Sequence, residues 1–130
     1  MATIQRFEDL LAWQKARELA KAIYRLSKRG PFSRDFELRN QMNASSGSAM
    51  DNIAEGFERD GNKEFVQFLS IAKGSCGEVK SQLYRAKDRE YIDQSTFQRL
   101  YDLAEEISQH IGGLIKHLKS SSYRGTKYKK

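Results

Sequence analysis

Few side chains in this sequence have the types and spacing that chemistry needs. Cys76 is the one thiol, within Ser75-Cys76-Gly77, and the two imidazoles are His110 and His117. A nucleophilic thiol needs a base to take its proton. No histidine lies near Cys76 in sequence, and its place on an apolar stripe reads as a small core residue. His110 follows Glu106 by four residues, and His117 lies two turns further on, between Lys116 and Lys119. Metal-holding bundles direct glutamates and Glu-x-x-His pairs inward from several helices. No such pair occurs here, and two histidines with one cysteine do not furnish a tetrahedral site. Glu55 and Glu58, and Glu105 with Glu106, offer carboxylates without a partner motif. No glycine-rich loop joins a strand to a helix to cradle a phosphate. The sequence points away from an enzyme, a metal, a cofactor or a small-molecule substrate.

The remaining chemistry is charge, and it is unevenly distributed. The 130 residues carry a net charge of +6. From Lys116 onward, Lys116, Lys119, Arg124, Lys127, Lys129 and Lys130 meet no acid, so this stretch accounts for the whole excess and the preceding part is balanced. Such a stretch reads either as a contact for nucleic acid or an acidic partner, or as a flexible, solvated end. The single cysteine excludes an intrachain disulfide and suits a reducing cytoplasm. No apolar run reaches the length of a signal peptide or a membrane span, so a soluble protein with no membrane contact is expected.

The elements that must position these groups are helices. A charged share of 31% against 38% hydrophobic suits a narrow apolar stripe beside a wide charged face. Pro31 is the only proline, and long helices exclude proline. The first pattern runs from about Glu8 to Lys28, with Leu10, Ala16, Leu19 and Ile23 among its apolar positions, and ends before Gly30-Pro31. The second runs from Arg34 or Phe36 to Glu58. Its apolar residues Leu38, Met42, Ala49, Ile53 and Phe57 span a run of small residues, Asn43 to Ala49. A glycine and several serines there cost helix propensity, so close approach of another helix is expected. Asp60 or Asn62 is available to cap a third helix reaching Arg89 or Glu90, with Gly74, Ser75 and Gly77 at mid-length. Asp93 caps a fourth, whose seam is Phe97, Leu100, Leu103 or Ala104, Ile107, Ile111, Leu114 and Leu118. Four long helices with short connections give an all-α, antiparallel up-down four-helix bundle over residues 1–119, followed by a basic flexible tail over 120–130.

Several segments carry a resemblance to a known family. They are Phe7-Glu8-Asp9-Leu10 with Trp13-Gln14-Lys15-Ala16, and Asn52-Ile53-Ala54-Glu55-Gly56 with Phe57-Glu58-Arg59. Lys63-Glu64-Phe65, Phe68-Leu69, Ile71-Ala72 and Gly74-Ser75 with Glu78 continue it. In these pieces and their spacing the chain resembles the bacterial 23S rRNA intervening-sequence proteins. The resemblance implies an up-down bundle and a homo-oligomer, a ring of five. Related accessory proteins of diversity-generating retroelements resemble the fold and bind nucleic acid. One departure stands out: where family members commonly carry arginines just before the small-residue run, this chain has Asn43-Ala44.

The expectation is a cytoplasmic homo-oligomer, a pentamer by resemblance, that binds RNA or DNA with low sequence specificity. Its candidate contacts are Arg39, Arg85, Arg89, Lys116, Lys119, Arg124, Lys127, Lys129 and Lys130. Lys15, Lys21, Arg25, Lys28 and Arg29 on the first helix add to them, and Tyr123 and Tyr128 offer stacking surfaces. Trp13, Asn52, Glu55 and Gly56 read as structural, with Asn52 and Glu55 bonding across a contact and Gly56 allowing close backbone approach. The alternative is an assembly or adaptor protein with another partner and no affinity for nucleic acid.

Overall fold

A computed structural model of the chain describes residues 3–121 and 128–129. Its first helix, α1 (Leu11–Ser27), starts three residues later than the sequence pattern suggests. Phe7–Asp9 form a separate 3-10 turn, and Leu10 is extended (φ −77°, ψ 124°) so that its side chain enters the core at 4% exposure. Ala12, Ala16, Leu19, Ile23 and Ser27 then recur at threes and fours as the buried face. Trp13 is half-buried at this end, in edge contact with Phe7 at 5.1 Å.

A second 3-10 turn, Gly30–Arg34, carries Pro31 in its first turn and delivers buried Phe32, which stacks on Tyr91 at 5.1 Å. Helix α2 (Phe36–Glu58) follows at once, because Asp35 Oδ1 accepts the Leu38 amide at 3.2 Å and caps it. Leu38, Met42, Ala49, Ile53 and Phe57 are all buried, as the spacing across the small-residue run implies.

Helix α3 (Asn62–Asp88) departs from expectation at its start. Neither Asp60 nor Asn62 caps it. Gly61 holds the cap position at φ 115°, a conformation that favours glycine. Asn62 is the first residue of the helix, and its side chain is buried and donates to the Leu118 carbonyl at 3.1 Å, tying α3 to the end of α4. At the other end, Glu90 takes a left-handed turn (φ 63°). The Tyr91 and Glu90 amides return to the carbonyls of Ala86 and Lys87, closing a Schellman stop. Helix α4 (Gln94–Ser120) is capped as expected by Asp93, whose carboxylate accepts the Thr96 amide at 2.8 Å. Its seam runs through Ala104, with Leu103 and Leu114 only partly buried.

Contacts of α1 with α2, α2 with α3, α3 with α4 and α4 with α1 close a ring of neighbours, giving an up-down-up-down bundle. Tyr128–Lys129 pairs antiparallel with Thr3–Ile4. The tail residues Arg124, Lys127 and Lys130, with Tyr123, lie outside the described residues.

The most extensive packing is between α2 and α3, and the small residues account for it. A Cβ on Gly56 would stand 2.7 Å from Phe68 Cβ and 3.0 Å from Phe65 Cδ1. Ser75 Oγ donates to Ser48 Oγ at 3.0 Å, and Gln82 Nε2 donates to Ser45 Oγ at 3.0 Å, so the serines bond across the helix pair. The run nevertheless faces two ways. Ser45, Ser46, Ala49, Ser75 and Cys76 are buried, while Ala44, Gly74 and Gly77 are exposed, because successive helix positions turn by about 100°.

Gly56→Ala is expected to destabilise. The nearest atom is a β-carbon, so the backbones must separate, at about 1–3 kcal/mol against a gain of about 1 kcal/mol in helix propensity. The net loss of up to about 2 kcal/mol will appear as a lower urea midpoint. A second expectation concerns pH. Asp35 Oδ2 accepts the Tyr91 hydroxyl and Arg89 Nη1, both at 2.7 Å; the Tyr91 bond first, then the capping Leu38 amide and Arg89, hold its carboxyl below its ordinary value of 3.8. A lowered carboxyl stabilises the fold above its unfolded value and loses that contribution as pH falls through the folded one. Asp35→Asn, which keeps a capping oxygen, is therefore expected to lower the urea midpoint at pH 6, with the gap to the parent narrowing as pH drops below about 4.

Candidate functional site

Two groups of cations stand out once the helices are packed. Arg89 is bound to Asp35, and Arg85 donates to Gln41 Oε1 at 2.8 Å with Glu37 at 3.7 Å. Lys80 holds Glu105 at 2.6 Å, an α3–α4 bond that raises the lysine and lowers the carboxyl. Lys15 reaches Glu106 at 3.3 Å. Two of the arginines singled out in the sequence, Arg85 and Arg89, thus brace α3 against α2. Arg39 donates to the Ser33 carbonyl at 2.8 Å and lies over the Phe36 ring.

The second group is a ridge on α1. Arg17, Lys21, Arg25 and Lys28, at spacings of four, four and three, share one exposed face. None makes an ion pair among the described residues. The ridge spans about 16 Å at the helical rise of 1.5 Å per residue. Arg17, Lys21 and Arg25 line a groove of about 400 Å³ with Gln14, Glu18 and Ala22, and Arg99 of α4 faces them across it. Four cations to one carboxylate make this groove an anion-attracting surface. Arg17 and Arg99 were not among the sequence candidates. The four-residue spacing from Arg17 to Arg25 was readable, but the approach of Arg99 required the α1–α4 packing.

The sequence candidates divide between opposite ends. Arg39, Arg85 and Arg89 gather where α1 and α3 end and α2 begins. Lys116 and Lys119, both exposed, lie at the far end of α4, which is about 40 Å long. Lys129 is described only through its backbone pairing with Thr3.

The Asn52 to Gly56 motif is packed into the scaffold in a different way from the cross-helix bonding expected. Asn52 Nδ2 donates to the Ser48 carbonyl (2.8 Å) and Ser48 Oγ (3.0 Å), so it reaches α3 only through the Ser48–Ser75 bond. Glu55 is exposed and pairs within its own helix with Arg59 at 3.2 Å. Asn43 donates to the Arg39 carbonyl and to Ser27 Oγ.

Cys76 and the two histidines stand apart. Cys76 is fully buried and its thiol is pushed up to about 11 by desolvation. His110 Nε2 lies 3.8 Å from Glu106 Oε2. Among the described residues no cluster of three or more His, Cys, Asp and Glu side chains could hold a metal ion, and no helix is long and apolar enough to cross a membrane.

A second surface lies opposite α1, on the outer side of α2 and α3. Gln41, Ala44, Ser45, Ser48, Glu78 and Gln82 line a shallow groove there. Gln82 is 5% exposed, and its Oε1 has no hydrogen-bond partner. A Cβ on Gly47, Gly74 or Gly77 would meet nothing within 4 Å, so the small residues leave this face thin.

Comparison with known proteins agrees with this architecture. No curated protein matches the chain. A solved protein of unknown function from the S23 ribosomal protein family of Bacteroides thetaiotaomicron superposes with a TM-score of 0.74 over 82% of this chain and 96% of its own. At 23% identity it shares the fold. The model of the 23S rRNA-intervening sequence protein family matches residues 8–113, from the turn before α1 almost to the end of α4, and the chain belongs to that family.

Proposed function

We propose that this chain is a non-enzymatic, homo-oligomeric helical bundle of the cytoplasm that binds RNA or DNA with low sequence specificity. The observation that carries the reading is the unpaired ridge Arg17, Lys21, Arg25 and Lys28 with Arg99 beside it. Flexible cations in a row follow a phosphate backbone and release its counterions, but they carry no information about base sequence. Exposed Lys116 and Lys119 add two cations at the other end of the bundle.

Oligomerisation, with a ring of five as the form implied by family resemblance, is the second part of the proposal. The thin outer face of α2 and α3 supports it. A groove lined by Ala44 and Ser48, beside exposed Gly74 and Gly77, lets another backbone approach closely, and Gln82 Oε1 awaits a donor. The same face supports the second reading, an assembly or adaptor protein with a protein partner and no nucleic acid.

Binding of labelled RNA and duplex DNA across a salt series separates the two. Parent protein is expected to bind at low salt and to weaken steeply as salt rises. Arg17→Gln, Lys21→Gln and Arg25→Gln together remove three phosphate contacts. They should weaken all sequences alike and flatten the log–log salt slope by about two on a single strand. No affinity of the parent at low salt would leave the adaptor reading. For assembly, Gly77→Arg has room within the bundle. It is expected to keep the parent's helical circular dichroism while light scattering shows a smaller particle; an unchanged mass would remove the α2–α3 face as the contact between copies.

A further inference from the structure

The ridge on α1 ends at Lys28, and there the surface changes character. Lys28 also lines a groove of about 420 Å³ between the end of α1 and the start of α2, with Tyr24, Ser27, Arg39, Asn40 and Asn43. Tyr24 is 55% exposed, and Phe36, one turn before Arg39 on α2, is 61% exposed. Each ring carries a cation: Lys28 Nζ is 4.8 Å from the Tyr24 centroid, and Arg39 Cζ is 4.8 Å from that of Phe36. Single exposed aromatics are ordinary, but Tyr24 lines this basic groove and Phe36 adjoins it through Arg39, so two aromatic rings stand next to positive charge.

Resting on the nucleic-acid reading above, we infer that this groove holds an unpaired base of a single strand, stacked on Tyr24 or Phe36, with Lys28 and Arg39 on the adjoining phosphates. Aromatic platforms beside cations are how single strands are held without sequence preference, because every base has a π-face. A duplex keeps those faces inside its own stack. The acids nearest the groove are occupied, Asp35 by Arg89 and Tyr91 and Glu37 beside Arg85, and none lines it. The groove also has hydrogen-bonding groups for a base edge. The amide hydrogens of Asn43 are committed to Arg39 and Ser27, which leaves its carbonyl oxygen as an acceptor, and exposed Asn40 brings a whole amide. The volume is in the range of small-ligand sites.

The test uses the full chain and fluorescence anisotropy with a labelled 12-nucleotide RNA, free or annealed to its complement, at one salt concentration. Tyr24→Ala with Phe36→Ala is expected to lose about tenfold or more in single-strand affinity. Duplex affinity and the single-strand salt slope should stay as in the parent, since no phosphate contact is removed. Tyr24→Phe in the Phe36 parent should bind as the parent does, because the ring remains. Equal losses on single strand and duplex, or no loss on either, overturn the stacking site while leaving nucleic-acid binding in place. A parent that binds neither form overturns both readings. Binding of a labelled poly-glutamate peptide in place of RNA, lost in the same double variant, would assign the groove to an acidic protein segment and overturn the inference. Urea midpoints matching the parent show that these exposed positions leave the fold intact.

Discussion

The closest constraint in the molecule is the approach of α2 to α3. At Gly56 the backbone of α2 lies so near Phe65 and Phe68 that even one added carbon would meet Phe68 Cβ at 2.7 Å. That approach explains why a helix so poor in large side chains exists at all. The serines and the glycine lower its helix propensity. Contact with α3, supported by the Ser45–Gln82 and Ser48–Ser75 bonds, offsets that cost and leaves the serine hydroxyls partnered. The small groups thin only part of the pair: α2 and α3 also bury Leu38, Met42, Ile53, Phe57, Phe65, Leu69 and Leu83, which meet Leu19, Ile23, Leu100, Ile107 and Ile111 of α1 and α4 in the core.

The same constraint sorts the charges. Helices packed this closely bring Gln41, Glu37 and Asp35 within reach of Arg85 and Arg89, so the arginines of α3 become braces across the seam. Helix α1 makes fewer contacts with its neighbours than α2 or α3 do with each other. Its polar face is wide, and Arg17, Lys21, Arg25 and Lys28 make no ion pair among the described residues. Which cations end up braced and which stay open is thus a consequence of tertiary contact that charge counting along the chain does not contain.

The architecture was legible because apolar periodicity and stop signals are local. Leu38, Met42, Ala49, Ile53 and Phe57 defined α2 through its small-residue run, and Asp93 with Thr96 defined the start of α4. The start of α3 was not legible in the same way. Asn62 has a capping side chain by type, but the Leu118 carbonyl, 56 residues away, takes its amide, and Gly61 caps by backbone conformation instead. Ionic partners failed for the same reason. Arg85 and Arg89 look like free helix charges until α2 is laid beside them, and Arg99 belongs to the α1 groove only through packing. The six basic residues from Lys116 onward dominated the charge count, yet Lys116 and Lys119, the two among them whose side chains are described, sit at the opposite end of the bundle from Arg39.

Weak, sequence-tolerant contacts of the kind proposed for one bundle acquire force through repetition. A single ridge of four cations and one groove with two exposed aromatics would bind a strand modestly and release it quickly. In the proposed homo-oligomer each copy presents the same ridge. After the first contact, a strand long enough to reach a second copy binds it at an effective concentration set by geometry, without any new kind of interaction. The thin α2–α3 face and the α1 ridge lie on opposite sides of the bundle. Assembly through the former would leave the latter open, so the two proposed contacts would not compete for one surface.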